Sequence, residues 1–368
     1  MPRFLTGESV GTNYEIERYL GEGAFAEVYR VRHRFLGRQA MKVFKRTGMT
    51  PTEVEKILGE AVLLSRIGHP NIVRVFDANV LDSPQGLSGY FTMEYIPSGS
   101  LDRFWNSYGT ELVPVETTVG ILRQLCRGMS VAHGENPPIV HRDIKPQNIL
   151  IGYEADGLRA RLSDFGLAKA VNPLTLLAST AGTITFKPPE AFSRFKADSC
   201  AADIWALGVT LYLLLTDSLP YKVEPDRGRS NRKAFAKEPI RPSILNSAVD
   251  ESLDSIVLQC LKANPADRYR DASDLLRALE SWQGPNKVTQ STSTEKTAYE
   301  SEKSALGERF VLNHQEGVML AEEATRIARI SGRLLEGADM MEEAFNKCPS
   351  LRQEYADRVR LWRCGICM

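Results

Sequence analysis

Ile139-Val140-His141-Arg142-Asp143-Ile144-Lys145-Pro146-Gln147-Asn148-Ile149-Leu150-Ile151 decides how this 368-residue chain reads. Its two ends are apolar and strand-like, and between them stand two acceptors and two cations within eight residues. Asp143 can accept the proton of a substrate hydroxyl. Lys145 can neutralise charge on a transferring phosphoryl group, and Asn148 offers an amide carbonyl to Mg²⁺. Chance does not readily assemble these groups in this order.

Downstream, Asp164-Phe165-Gly166 stands at a distance that suits a hairpin, and Asp164 supplies a hard anionic ligand for the same metal. Upstream, Lys42 sits in the strand-like run Gln39 to Phe44 among apolar or long-stemmed neighbours, so its ammonium needs a partner. Glu60, on the next helical segment, is the expected carboxylate. Closer to the N-terminus lies Gly21-Glu22-Gly23-Ala24-Phe25-Ala26-Glu27-Val28, between two predicted strands. In that setting small residues let the backbone close over triphosphate oxygens. An ordinary glycine hairpin is the plain alternative for this stretch alone.

The remainder of the sequence sets the frame. Hydrophobic residues make up 43% and charged residues 25%, the balance of a globular protein. Lys plus Arg equals Asp plus Glu at 46 each, so no net field favours nucleic acid, an anionic membrane or an acidic substrate. The most apolar run, Ile204 to Thr216, is bounded by Asp203 and Asp217 and falls short of the ~20 residues of a bilayer span. It reads as a buried helix. The N-terminal residues lack a secretory pattern, and the isolated cysteines Cys126, Cys200 and Cys260 fit reduced core thiols. The expected location is cytoplasmic.

Short alternating runs at Tyr14 to Leu20, Glu27 to Val31, Gln39 to Phe44, Val73 to Ala78 and Tyr90 to Tyr95 predict an antiparallel sheet, interrupted by a helix over Thr52 to Ile67. From about Leu101 the period becomes helical, with segments at Val119 to His133, Ala201 to Thr216, Leu253 to Leu261 and Ala272 to Trp282. Gly284 to Ser304 is rich in Ser, Thr, Lys and Glu and reads as a flexible linker. Beyond it apolar residues return at helical spacing. The expected fold is therefore α+β: an N-terminal lead (1–13), a small β lobe with one helix (14–96), a large mainly helical lobe (97–283), a linker (284–304) and a helical tail (305–368).

From Tyr14 to Trp282 this set of motifs resembles the eukaryotic-type serine/threonine protein kinases. The resemblance implies a bilobal fold, ATP with Mg²⁺ as the cosubstrate, and transfer of a phosphoryl group to Ser or Thr hydroxyls of protein substrates. It also implies a role for each matching residue. Asp143, Lys145 and Lys42 would be catalytic. Gly21, Glu22, Gly23, Ala24, Val28, Ala40, Lys42, Glu60, Met93, Glu94 and Ile96 would surround ATP, with Met93 behind the adenine and the backbone of Glu94-Tyr95-Ile96 as hinge. Asn148 and Asp164 would hold the metal. Thr183 would belong to the substrate platform, Glu190 would brace Arg268, and Asp203 would tie down the catalytic loop. Lys145, two residues past Asp143, is the mark of the serine/threonine branch.

Arg142 would await an anion, which in this family is often a phosphorylated residue; Thr175, Ser179 and Thr180 are the candidates, and autophosphorylation there the expected switch. The departures are mild: Ala26 for the third glycine, Met41 before the lysine, and Pro188 where alanine is usual. The competing reading is a pseudokinase scaffold acting through the fold and the tail, but it predicts loss of Lys42, Asp143, Asn148 or Asp164, and all are present. Part of the tail weakly resembles a tetratricopeptide-type repeat and is expected to dock on the kinase or pair with a partner or a second copy. Cys364 and Cys367 could form half a metal site with Cys348 and His314, or be inert, which is the preferred reading.

Overall fold

A computed structural model describes residues 2–23, 25–65, 67–82, 84, 86–109, 111–154, 157–165, 184–192, 199–222, 234–235, 237–284, 303–330, 333–348 and 351–366, with the side chains of 60–65, 303–315 and 353–354 excepted. The alternating N-terminal segments pair as one antiparallel sheet of six strands: β1 (Ser9–Val10), β2 (Tyr14–Glu22), β3 (Ala26–His33), β4 (Gly37–Phe44), β5 (Val75–Leu81) and β6 (Ser88–Glu94), in the order β1-β2-β3-β4-β6-β5. Strand alternation gives this sheet two apolar faces. One carries Ala26, Ala40, Phe44, Phe91 and Met93 and joins the main core. The other carries Tyr14, Ile16, Tyr29, Val31, Met41, Val43 and Tyr90 and is a small core of its own. The segment expected to be a mere lead thus closes this second face. β1 pairs with β2, and Phe4 packs edge-on against Tyr29 with ring centroids 5.6 Å apart.

Helix α1 (Pro51–Ser65) crosses the first face. Its start is a reciprocal cap, in which the Glu53 N–H donates to Thr50 Oγ1 (3.3 Å) and the Thr50 N–H donates to Glu53 Oε2 (2.9 Å). Among its described side chains, Val54, Ile57 and Leu58, at helical spacing, are buried.

The second lobe is built from α2 (Leu101–Asn106), α3 (Val115–Gly134), the hairpin β7 (Ile149–Glu154) and β8 (Gly157–Leu162), and helices α4 (Cys200–Thr216), α5 (Glu251–Cys260) and α6 (Ala272–Ser281). α4 is apolar around its whole circumference, and every residue from Ala202 to Thr216 is buried, as a central helix requires. Asp250 and Asp271 cap α5 and α6 by accepting from backbone N–H groups in the first turn of each. At the far end of α6, Arg123 from α3 donates to the carbonyls of Leu279 and Trp282, satisfying groups that the helix leaves open.

Residues 285–302, most of the expected linker, lie outside the described residues. The tail consists of α7 (Lys303–Ala328), α8 (Leu334–Lys347) and α9 (Leu351–Arg363). Ala321, Ala324, Ala338, Met341, Phe345, Val359 and Trp362 form its own core, against which Tyr153 of β7 packs. Gly317 and Gly337 are points of close approach: a Cβ at Gly317 would lie 2.5 Å from the Cys348 Cβ, and one at Gly337 2.7 Å from the Ala328 Cβ and 2.9 Å from the Ala324 carbonyl oxygen. The tail is docked on the kinase-like portion of its own chain, the first of the two expected arrangements. No described helix is long and apolar enough to cross a membrane.

Candidate active site

The β7–β8 register places the central loop. Ile149 pairs with Leu162, so Asn148 and Ser163 lie side by side at the open end of the hairpin and Asp164 comes next. The Ser163 N–H and Oγ–H both donate to the Asn148 carbonyl, at 2.9 and 3.0 Å. The loop before Asn148 is held from below by Asp203, the acidic residue in the first turn of α4. Its carboxylate accepts from the N–H groups of His141 (2.7 Å) and Arg142 (2.8 Å) and lies 3.0 Å from His133 Nε2. Arg142 and Asp164 take positive φ values of 68° and 63°, a conformation costing non-glycine residues about 1–3 kcal/mol that persists where surrounding bonds impose it. Asp203 supplies such a bond at Arg142, as the family resemblance implied.

His141 is fully buried and its tautomer follows from its partners. Nδ1 accepts from the Asp143 N–H (3.3 Å), so Nε2 carries the hydrogen donated to the Ser163 carbonyl (3.0 Å). Burial lowers its pKa from the ordinary 6.5, against the opposing pull of Asp203, Asp143 and Asp164. Its ring packs on Phe165 with centroids 4.4 Å apart.

Asp143 and Lys145 meet at 2.8 Å. Asn148 gives both Nδ2 hydrogens to Asp143, one to the carbonyl (2.8 Å) and one to Oδ2 (2.9 Å). That orients the amide and leaves its Oδ1 as an acceptor with no hydrogen bond among those described. Asp164 receives Lys42: Nζ lies 2.6 Å from Oδ1. Lys42 therefore bridges the two lobes through Asp164, while the side chain of Glu60, its expected partner, lies outside the described residues. The strand registers set Lys42 opposite Val28 on one side and Phe91 on the other, and Ala40 opposite Met93.

The glycine hairpin closes tightly, with the Gly23 N–H donating to the Ala26 carbonyl at 2.8 Å. A Cβ added at Gly21 would meet nothing within 4 Å, and one at Gly23 only the Ala26 carbonyl oxygen at 4.0 Å, so there is room over this backbone for a ligand. Glu22 pairs with Lys45 at 2.6 Å. At the hinge, Met93 and Ile96 are buried and Glu94 Oε2 lies 3.3 Å from Arg161 Nε of β8.

Beside the loop, the 184–192 segment is anchored by the expected brace. Arg268 meets Glu190 through two parallel bonds of 2.8 Å. Lys187 Nζ donates to the Arg142 carbonyl at 2.9 Å. Ala24, Gly166, Thr175, Ser179, Thr180 and Thr183 lie outside the described residues. Of the cysteines singled out at the C-terminus, Cys348 is buried and Cys364 exposed, and both are free thiols. Cys367 and the His314 side chain are outside the described residues. Among the described residues, no three His, Cys, Asp or Glu side chains cluster as metal ligands.

Several participants carry no sequence motif. Asn71 donates to the Ala160 carbonyl (2.8 Å) and Gln124 (3.0 Å), tying β8 to α3. Glu343 of the tail accepts from the Tyr95 hydroxyl at 3.2 Å, immediately beside the hinge backbone.

The oxygen-only donor pair, Asn148 amide and Asp164 carboxylate, suits a hard cation such as Mg²⁺ better than a nitrogen- or sulfur-seeking metal. The open space over Gly21 and Gly23 suits phosphate groups. Comparison with known proteins points the same way. The family model for the protein kinase domain matches residues 14–278. Serine/threonine-protein kinase ATG1c of Arabidopsis thaliana is 32% identical over 270 residues, covering 72% of this chain and 35% of the relative. Serine/threonine-protein kinase PknB of Mycolicibacterium smegmatis is 29% identical over 303 residues, covering 80% of this chain and 47% of the relative. The chain thus corresponds to less than half the length of either.

Proposed function

Because the chain belongs to the protein kinase family, we propose that it transfers the γ-phosphoryl group of ATP to Ser or Thr hydroxyls of protein substrates. One observation carries this reading: Lys145 and Asn148 meet Asp143 at 2.8–2.9 Å, Lys42 meets Asp164 at 2.6 Å, and the two groups adjoin because Ser163, next to Asp164, donates to the Asn148 carbonyl. Asp143 is placed to orient a substrate hydroxyl and take its proton. Lys145, at 2.8 Å from Asp143, stands where it can offset negative charge on the group in transit. Lys42 directs an ammonium into the cleft for the α- and β-phosphates. Asn148 and Asp164 would hold a divalent metal, most suitably Mg²⁺, which when bound neutralises charge on the phosphates. Val28, Ala40 and Met93 supply apolar surface for the adenine, and the 94–96 backbone its hydrogen bonds.

We further propose the kinase unit as 14–283, with the tail as a separate helical unit, and a cytoplasmic setting, in keeping with the buried free thiols of Cys126, Cys260 and Cys348. Phosphorylation at Thr175, Ser179 or Thr180, and Thr183 in the substrate platform, belong to the same proposal through the family pattern. The backbone of Arg142 is already engaged by Asp203 and Lys187. A phosphoanion there would therefore act on a loop fixed beforehand rather than build one.

The test is phosphate transfer from ATP and Mg²⁺ to a generic protein substrate by the parent and by Asp143→Asn. A loss of kcat of at least about 10²-fold is expected for removal of a positioned base. Equal turnover by the two proteins would overturn the assignment and favour a scaffold.

A further inference from the structure

The tail does not merely lie on the kinase domain; it grips the hinge from behind. α8 presents Glu342 and Glu343 to residues on either side of Ile96. Glu343 Oε1 accepts from the Tyr95 hydroxyl (3.2 Å) and pairs with Arg18 of β2 (3.3 Å) and Arg30 of β3 (3.7 Å). Glu342 is fully buried, accepts from Ser98 Oγ at 2.6 Å, and is balanced by Arg363 of the tail at 2.8 Å. Asn346 donates to the Ser98 carbonyl. Arg38 of β4 meets Asp339 at 3.3 Å.

The same unit holds the large lobe. Arg352 of α9 lies 4.5 Å over the Phe104 ring of α2 and donates to Ser107 Oγ at 2.9 Å. Phe345 meets Tyr153 of β7 edge-on at 5.5 Å. One helical unit, with its own core, therefore contacts the small-lobe sheet, the hinge and the large lobe together. Rotation of one lobe against the other must break bonds on at least one side. A row of acids facing a row of arginines fixes the orientation of docking, and the Arg352 stack and the buried Glu342 supply the desolvated contacts.

We infer that the α7–α9 unit is a positioning element for the nucleotide site: through Glu343 and Glu342 it fixes the hinge at Tyr95 and Ser98 and sets the angle between the lobes. The inference rests on the kinase reading. These residues touch no reacting atom and act through the hinge backbone, so the effect falls on nucleotide affinity rather than on the chemical step.

The experiment uses the full chain with Glu343→Lys, Glu343→Gln and the exchange pair Arg18→Glu/Glu343→Lys. Glu343 meets only kinase-domain groups in the hydrogen bonds and ion pairs described, so the tail's core should persist, which far-ultraviolet circular dichroism verifies. Three readouts are taken: affinity for the non-hydrolysable analogue AMP-PNP with Mg²⁺ by calorimetry, kcat for phosphate transfer from ATP to a generic protein substrate, and amide hydrogen exchange over 94–98. Glu343→Lys is expected to weaken binding about fivefold, with kcat within about twofold of the parent, and to speed exchange at the hinge. Glu343→Gln should have a smaller effect of the same sign, and the exchange pair should recover most of the loss. Parent-like affinity and hinge exchange in Glu343→Lys, with the helical signal intact, would overturn the inference while leaving the kinase reading untouched. A parent that binds AMP-PNP but transfers no phosphate would instead overturn the kinase reading alone.

Discussion

The Arg268–Glu190 brace offers the sharpest test of how this protein holds its 184–192 segment. Arg268 has a fully buried side chain, and all five of its donor hydrogens have acceptors. Nη1 serves Glu190 Oε1 and the Ala201 carbonyl; Nη2 serves Glu190 Oε2 and the Ala263 carbonyl; Nε serves the Lys262 carbonyl at 2.7 Å. The guanidinium also lies 4.9 Å over the ring of Trp205. Glu190→Gln keeps the shape of the anion and removes its charge, leaving a buried cation with carbonyl dipoles alone. Breaking a buried pair from one side costs about 3–5 kcal/mol, and the three surviving carbonyl bonds put the expected loss near 3. Arg268→Met should cost more, because it strands the Glu190 carboxylate and three buried carbonyls at about 1–3 kcal/mol per unmade bond. Against a typical domain stability of about 5–15 kcal/mol, either change is a large fraction. Urea unfolding followed by tryptophan fluorescence measures both, since Trp205 sits under the affected group. A loss below about 1 kcal/mol for both variants, with unchanged denaturant slope, would refute this reasoning.

Two further expectations come from separate parts of the fold. A Cβ at Gly208 would lie 2.4 Å from the Cys260 Cβ and 3.3 Å from Leu261 Cδ2, so Gly208→Ala should push α4 from α5 and cost about 1–3 kcal/mol in the same unfolding assay; Gly208→Ala as stable as the parent would show that the two helices are not so closely seated. His141 has a folded pKa below its ordinary 6.5, so the unfolded chain takes up a proton that the folded chain refuses. Its stabilising contribution is present above pH 6.5 and falls as the pH drops below it. Nitrogen-15 chemical shifts of the imidazole should report a mainly neutral ring with its hydrogen on Nε2 at pH 6.5, and a mainly protonated ring at that pH, or a neutral ring with its hydrogen on Nδ1, would contradict this reading.

Much of the fold was legible because local chemistry and regular period agree in it. The alternation at Gln39 to Phe44 and the helical spacing of Val54, Ile57 and Leu58 each answer to neighbours within a few residues. The central loop was legible because its polar groups are compressed between two apolar runs. Glu190 and Arg268, 78 residues apart, were joined by family pattern and not by anything local. What stayed hidden depends on pairing at a distance. β1 spans two residues, too few for an alternating signal. Glu336, Asp339 and Glu343 look like a solvated helix face until Arg38, Arg18 and Arg30 of the sheet are brought to them. The contact of Lys42 with Asp164, 122 residues away across the cleft, is a further pairing of this kind, while the side chain of Glu60, its expected partner, lies outside the described residues.

That Lys42–Asp164 contact has a consequence for what the cleft admits. On the proposed reading, each member of the pair is the other's counter-ion before any ligand arrives. A triphosphate entering alone would draw Lys42 away and leave Asp164 an unbalanced anion; a divalent cation entering alone would do the reverse to Lys42. Only a guest that brings both signs at once lets the two residues exchange partners without either being left bare. The pair is thus a filter that favours metal-loaded nucleotide over either component.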